Sequence, residues 1–414
     1  MLKVFKFGGA SIKDVESIKN IANLIKQFSN ERIVIVFSAM GKVTNMLEEV
    51  VDAYTFQNGN EVLALDKVKV FHNTIIKDLF NKEDMIFDEI NNLFVEIEWM
   101  FEEIPHQGYA YNYDQIVSIG EFMSTKIMSS YLNKIGFKNT WIDARDIIKT
   151  DNTYRNAKID WNTTTSLINK YLNHQHCITQ GFIGCTSENF TTTLGREGSD
   201  FTAAILAFSL DANEVVIWKD VPGMMNADPK YFSEAKLFSD ISFDEAIELA
   251  FFGAKVIHPK TIQPLKKKNI PLKVKSFINT NDNGTLIAEG VNTIPSIPSY
   301  IVKENQVLIS ISDESLSFIV ENHMSQIFSL LSKHSVGVNM MQNSAISFSI
   351  CVDNDIHKIS KLIIDLQKDF RVCYNKGLKL YTIRHYTTES LEELVKEKTI
   401  ILEQKSRNTV QIVA

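Results

Sequence analysis

Val4-Phe5-Lys6-Phe7-Gly8-Gly9-Ala10-Ser11 is the stretch whose reading decides the fold. Its apolar run reads as a buried strand, and two glycines and a small hydroxyl residue then turn the chain. Beyond the turn, Val15, Ile18, Ala22 and Ile25 recur at helical spacing. Strand, glycine turn and helix is the arrangement that aims backbone N–H groups and a helix N-terminus at an anion. Glycine lets the backbone approach phosphate oxygens because no Cβ intervenes, and Lys6 sets a fixed positive charge beside them. The stretch is neither G-x-G-x-x-G nor G-x-x-x-x-G-K-[ST]. Alone it serves equally well as a tight turn with a surface lysine, so the rest of the chain must decide.

Outward from it, Ile33-Val34-Ile35-Val36-Phe37 predicts a second buried strand, ending in Ser38-Ala39-Met40-Gly41-Lys42. Two parallel strands joined by an amphipathic helix make a βαβ unit. Residues 46–104 read as helices with no chemistry of their own. The helix from Tyr113 to Asn133 lines Ile116, Ile119, Phe122, Met123, Ile127 and Tyr131 on one side and carries Glu121 after Gly120. A lone Glu on a helix is ordinarily a solvated residue. A second glycine-containing loop, Gly195-Arg196-Glu197-Gly198-Ser199-Asp200, follows the strand Cys177–Gln180 and a polar hairpin, and opens another helix. Ser199 or Asp200 suits its N-cap, and Arg196 offers a planar fork for a carboxylate or phosphate. Two such loops in one α/β domain are harder to set aside than one.

The whole chain narrows the class. At 414 residues it should hold two or three domains. A formal charge of −7 without a long basic run argues against nucleic acid as a partner. Cys177, Cys185, Cys351 and Cys373 lack metal-ligand spacing and read as buried thiols of a reducing compartment, with a Cys177–Cys185 disulfide as the alternative. Lys3 and Lys6 interrupt any signal-peptide pattern, and no apolar run approaches the ~18 residues of a membrane span. A cytoplasmic protein is expected.

Gly290–Tyr300, with Pro295 and Pro298, reads as a linker. Beyond it, strand, helix, strand, strand, helix and strand follow through Ile383, a βαββαβ pattern with both helices on one face of a sheet. The tail allows a helix at Ser390–Lys396 and strands at Thr399–Glu403 and Thr409–Val413, too little for a second such module. It is expected to complete or buttress a sheet.

Lys6-Phe7-Gly8-Gly9-Ala10-Ser11, the Arg196 loop, Trp218-Lys219-Asp220-Val221-Pro222-Gly223 and Phe252-Gly253-Ala254-Lys255-Val256-Ile257-His258-Pro259 occur in the order found in aspartokinases, which the chain resembles over nearly its whole length. The resemblance is to the monofunctional form. It implies an α/β amino-acid kinase fold, a mainly parallel sheet sandwiched by helices, followed by a ferredoxin-like βαββαβ ACT module. The expected domains are a catalytic domain at 1–289, a linker at 290–303, an ACT-like regulatory domain at 304–386 and an incomplete second ACT unit at 387–414.

The same resemblance implies the site. Lys6, Gly8, Gly9 and Asp200 match catalytic positions. Ser38, Thr44, Glu121, Arg196 and Ser199 match the substrate side, with Glu121 meeting the ammonium and Arg196 the α-carboxylate. Lys6, Gly9, Ser11, Lys219, Asp220, Met225, Lys230 and Lys255 fall on the nucleotide side. An amino-acid effector, lysine or threonine, is expected near His323, Met324, Gly337, Val338 and Asn339. The departures are Glu197 for a glycine, Lys219 for a threonine, Met225 for a tyrosine, Lys230 for an arginine and Asn339 for an aspartate. The last should weaken or abolish lysine inhibition.

The implied reaction moves the ATP γ-phosphoryl group to the β-carboxylate of L-aspartate, with Mg²⁺ held mainly by the phosphates and no metal bound by the protein itself. A carboxylate is already a nucleophile at pH 7, so no general base is needed. That agrees with a sequence lacking any Ser/His/Asp or Cys/His constellation, and gives His258 a structural hydrogen bond instead. The alternatives are a kinase for a glutamate-type substrate and a catalytically silent ACT amino-acid sensor. No membrane partner is expected, and an effector pocket between ACT modules calls for a homodimer.

Overall fold

The computed structural model describes residues 1–254, 256–313 and 318–414. The chain divides into two units, one of residues 1–224, 237–247 and 256–294, the other of residues 225–236, 248–255 and 295–414.

The first unit is built on eight strands in the spatial order Thr140–Ile142, His176–Gln180, Arg32–Phe37, Leu2–Phe7, Glu214–Lys219, Leu272–Ser276, Thr285–Ala288 and Asp240–Ser242. All neighbours are parallel except Thr285–Ala288, which runs antiparallel to Leu272–Ser276. The opening stretch is therefore a central strand, buried on both faces, which is why it reads as a continuous apolar run. Phe7 stacks between Phe37 and Trp218, with ring centroids 5.4 and 6.0 Å away. The helix Val15–Lys26 is capped by Asp14, which accepts from the Ser17 amide. The helix Gly198–Leu210 packs against the central strands, and its run of small and apolar residues is almost wholly buried.

The second unit carries a six-stranded antiparallel sheet in the order Val338–Asn343, Phe348–Asp353, Ser299–Ser312, Arg371–Arg384, Thr409–Val413, Leu402–Lys405. The helices Glu321–Lys333 and Ile356–Leu366 bury Ile327, Leu331, Ile359 and Leu362 against Val307, Ile309, Ile311, Ile350 and Val352, giving the expected βαββαβ arrangement. The tail strands extend the same sheet, and the helix Thr388–Val395 shares a core with Ile383, Val410 and Ile412.

Three expectations need correction. The 290–303 linker ends early, because Ser299–Lys303 already pairs with Leu380–Arg384. The 1–289 domain also loses two pieces, 225–236 and 248–255, to the second unit. Asn226 donates to the Pro298 carbonyl and accepts from the Lys236 amide, Phe232 lies 5.0 Å from the Tyr300 ring, and Arg384 pairs with Glu248 at 3.3 Å. Finally, all four cysteines are free thiols, with Cys373 exposed rather than buried. No described helix is long and apolar enough to cross a membrane.

Candidate active site

Lys6 stands at the end of the central strand, and the chain turns immediately after it. Gly9–Ile12 forms one turn of 3₁₀ helix, closed by the Ser11 amide and hydroxyl, both donating to the Gly8 carbonyl at 3.0 and 2.6 Å. Ser11 is wholly buried, and its hydroxyl donates inside the turn. A Cβ at Gly9 would fall on the Ala39 carbonyl oxygen and 2.9 Å from that of Gly41. Only glycine lets the turn lie against the loop that follows the second strand, and the Gly41 amide donates across to Gly9 at 3.0 Å.

The same loop fixes Glu121. A Cβ on Gly120 would sit 3.0–3.2 Å from Leu47, Val43 and Ala39, so the missing side chain lets the helix Tyr109–Lys134 lean onto Ala39. Glu121 is consequently buried, at 3% exposure, and accepts a hydrogen bond from the Ala39 amide while its Oε2 has no hydrogen-bond partner. Burial pushes its carboxyl up to about 8, against the Ala39 amide and the charge of Lys6. The solvated residue of the sequence reading is a buried acid. Ser38 and Thr44, both half-buried, lie at either end of this loop, Thr44 in the first turn of the helix Val43–Thr55.

Asp200 ties the two glycine loops together. Its Oδ1 lies 2.6 Å from Lys6 Nζ and its Oδ2 3.4 Å from Lys219 Nζ. Burial alone would raise this carboxyl, but the two ammonium groups override it and hold it below the ordinary carboxylate range. Lys219 also donates to the Val256 carbonyl. Ser199 is buried at the start of the same helix, whose N-terminus adds partial positive charge. Arg196 is exposed and makes no hydrogen bond or ion pair among the described residues, which leaves its guanidinium available. Asp220 is exposed just past the strand that carries Lys219.

The loop that leads into Arg196 has an anchor the sequence did not disclose. Asp114 accepts from the Thr193 hydroxyl and amide at 2.6 and 2.8 Å and from the Arg155 amide at 3.0 Å. Burial raises its carboxyl to about 6 despite these donors. The available signal was an acid flanked by Tyr113, Ile116 and Val117 on the buried face of its helix.

Met225 and Lys230 belong to the second unit, where Lys230 Nζ lies 3.1 Å from the Tyr231 hydroxyl and 3.5 Å from Glu304. Lys255 lies outside the described residues. His258 caps the helix Pro259–Lys267, its Nδ1 accepting from the Lys260 amide at 3.2 Å. In the second unit, His323 packs edge-on to Phe370 beside Met324, and Gly337 immediately precedes the strand Val338–Asn343, which Val338 opens. The Asn339 side chain is already engaged: it accepts from Lys303 at 2.8 Å and donates to Gln306 and Asp353 at 2.8 and 2.9 Å. An effector could recruit it only by breaking these bonds. No cluster of three or more His, Cys, Asp or Glu side chains able to hold a metal occurs among the described residues.

A buried aspartate holding two lysines beside a glycine turn, on a parallel sheet, is an anion-handling site. The family model for the amino acid kinase family matches residues 1–276. Lysine-sensitive aspartokinase 3 of Escherichia coli is 32% identical over 392 residues, covering 92% of this chain and 86% of that protein. Aspartokinase 1, chloroplastic, of Arabidopsis thaliana is 34% identical over 84% of this chain and 63% of its own length. The crystal structure of E. coli aspartokinase III in complex with aspartate and ADP superposes with a TM-score of 0.85 at 28% identity, covering 100% of this chain and 96% of that one. The chain belongs to the amino acid kinase family, and within it to the aspartokinases.

Proposed function

We propose that the chain is an aspartate kinase that transfers the γ-phosphoryl group of Mg·ATP to the β-carboxylate of L-aspartate, giving 4-phospho-L-aspartate, the first step of lysine, threonine and methionine biosynthesis. The observation that carries this is Asp200, buried between Lys6 and Lys219. An anionic nucleophile must approach a polyanion, so catalysis rests on fixed positive charge and positioning rather than on a base. Asp200 holds Lys6 beside the Gly8-Gly9 turn, where its charge and the loop amides can meet the transferring phosphoryl oxygens. Lys219, Asp220 and the Gly9 turn form the nucleotide side. With both Asp200 oxygens engaged by lysines, the magnesium ion enters as part of the nucleotide substrate, held by its phosphates.

On the amino-acid side, Arg196 offers a free fork to the α-carboxylate, and Ser38, Thr44 and Ser199 supply short polar groups around it. Glu121 meets the ammonium. An arriving cation gives its buried oxygen the partner it lacks and drives it to ionise. The E. coli protein's lysine sensitivity, and its structure with lysine and aspartate, support a regulatory role for the ACT-like module. Its effector would lie against His323, Met324, Gly337 and Val338 at an interface between two chains, making a homodimer the regulated species.

The test is a coupled ADP-release assay with aspartate, glutamate and N-acetylglutamate as acceptors. Turnover with aspartate alone supports the reading. Preference for a glutamate-type acceptor, or no turnover with tight effector binding, refutes it.

A further inference from the structure

Glu121 and Arg196, the groups assigned to the substrate's ammonium and α-carboxylate, come from different elements, and one carboxylate joins those elements. Asp114 lies seven residues before Glu121 on the helix Tyr109–Lys134, two turns and about 10 Å away on the same face. It is wholly buried. Its Oδ1 accepts from the Thr193 hydroxyl at 2.6 Å, and its Oδ2 from the Thr193 amide at 2.8 Å and the Arg155 amide at 3.0 Å. The neighbouring Gln115 pairs with the other end of the same strand. It donates to the Thr191 carbonyl at 2.8 Å and accepts from the Thr191 amide at 3.3 Å. The helix grips the strand Thr191–Thr193 as a partner strand would, with side chains in place of a backbone ladder.

From that strand the restraint runs on to Arg196. The Thr193 carbonyl accepts from the Ala157 amide at 2.9 Å, and the Leu194 amide donates to the Phe182 carbonyl at 2.8 Å. Gly195, at φ 80°, lies so close to residues 155–156 that a Cβ would stand 3.0 Å from Asn156 Oδ1 and 3.1 Å from the Arg155 carbonyl oxygen. Asp114 holds this loop as well, through the Arg155 amide. Arg155 has a φ of 66°, in the left-handed region that disfavours a side chain, and its guanidinium lies 4.4 Å from the Tyr113 ring on the Glu121 helix. Both supports of Gly195, the strand before it and the loop beside it, end on one carboxylate. A plain tether could be neutral. Burying a carboxylate is costly, but its two acceptor oxygens take all three donors at once, where an asparagine would turn an NH₂ toward an amide N–H.

We propose that Asp114 is a positioning residue for the substrate, a strut that fixes the spacing between Glu121 and Arg196 and so matches the site to an α-amino acid. This rests on the aspartate-kinase reading above. The two groups that the strut relates meet the parts common to every α-amino acid, its ammonium and its α-carboxylate. With the spacing lost, either can still be held, but not both in one pose, and the substrate forfeits one charge-assisted contact. The phosphoryl-transfer groups are fixed separately, by the bonds of Asp200 to Lys6 and Lys219. The strut therefore acts on amino-acid binding, not on the chemical step.

The experiment is a double-substitution cycle of Asp114→Asn and Arg196→Ala, with Thr193→Val as a milder variant that removes one donor and keeps the carboxylate. It is read by steady-state kinetics and by calorimetric binding of aspartate and of 3-aminopropanoate, which is aspartate without its α-carboxylate. Asp114→Asn should raise KM for aspartate about tenfold and Thr193→Val about threefold, with kcat and KM for ATP moving by less than about threefold. Added to Arg196→Ala, Asp114→Asn should cost less than about twofold more, since the group it positions is gone. Affinity for aspartate should fall in Asp114→Asn while affinity for 3-aminopropanoate stays. Additive effects in the cycle, equal losses for the two ligands, or KM for ATP rising as far as KM for aspartate overturn the proposal. If a glutamate-type acid proves to be the acceptor, coupling read with that acid upholds the strut while the aspartate reading fails. Additive effects alongside normal aspartate turnover sink the strut alone. Melting temperatures separate misfolding from loss of coupling, and should Asp114→Asn unfold, Thr193→Val carries the cycle with Arg196→Ala.

Discussion

Glu121 makes the active site expensive to fold. Its carboxyl is pushed from 4.5 to about 8 by burial, so between those limits the folded chain keeps a proton that the unfolded chain gives up. Stability therefore falls as pH rises through that window, and the loss is complete above about pH 8. Glu121→Gln should raise the melting temperature little at about pH 5 and progressively more toward pH 9, while removing most aspartate turnover. A pH-independent gain in melting temperature would place Glu121 in a solvated setting. In wild type, KM for aspartate should fall as pH rises from about 6.5 to 8.5, as ionised Glu121 becomes available to the substrate ammonium. Lys6→Ala should lower kcat by about a hundredfold with a smaller change in KM, because its charge acts where charge develops. Near-normal turnover in that variant would remove Lys6 from the chemistry. Lys6 and Lys219 were legible as strand-end positions and Asp200 as a first-turn position of the helix Gly198–Leu210, each within an ordered motif. The burial of Glu121 was not, since it depends on Gly120 admitting the Ala39 loop, a contact between helix and loop that no local pattern encodes.

Among the elements, that glycine contact is the one most open to test. Gly120→Val would push the helix Tyr109–Lys134 off Val43 and Leu47, at an overpacking cost of about 1–3 kcal/mol. It should raise KM for aspartate more than KM for ATP, because Glu121 moves while Lys6 and Asp200 sit on other elements. An equal effect on both would mean that the helix merely supports the sheet. Central strands and amphipathic helices were readable from their periods, and the polar hairpin appears as Ile183–Cys185 paired with Thr191–Thr193. The two long strands of the second unit were not. Asn305, at φ 54°, and Gly377, at φ 75°, interrupt the alternation halfway along each. Each strand therefore reads as a short strand beside a loop. The loss of residues 225–236 and 248–255 from the first unit was equally hidden, because it rests on partners far along the chain, such as Pro298 for Asn226.

At the scale of the whole molecule, regulation and assembly are expected to be linked. Light scattering alongside activity should find a dimer, with inhibition by lysine weak because Asn339 is committed to Lys303, Gln306 and Asp353. Strong lysine inhibition of a species that remains monomeric would contradict both expectations. Deleting residues 387–414 would strip two strands and a helix from the second sheet and expose Ile383 and Leu380, so the shortened chain should aggregate or melt well below the parent. The continuity of that sheet also bears on how such a protein can be rebuilt. Ser299–Ser312 and Arg371–Arg384 each serve the βαββαβ half with one end and the tail half with the other. No cut between the halves leaves two intact pieces. A laboratory chimera, or a natural recombination, that exchanges effector specificity would have to move both long strands as one inheritance, and sensory halves traded singly should fail to fold.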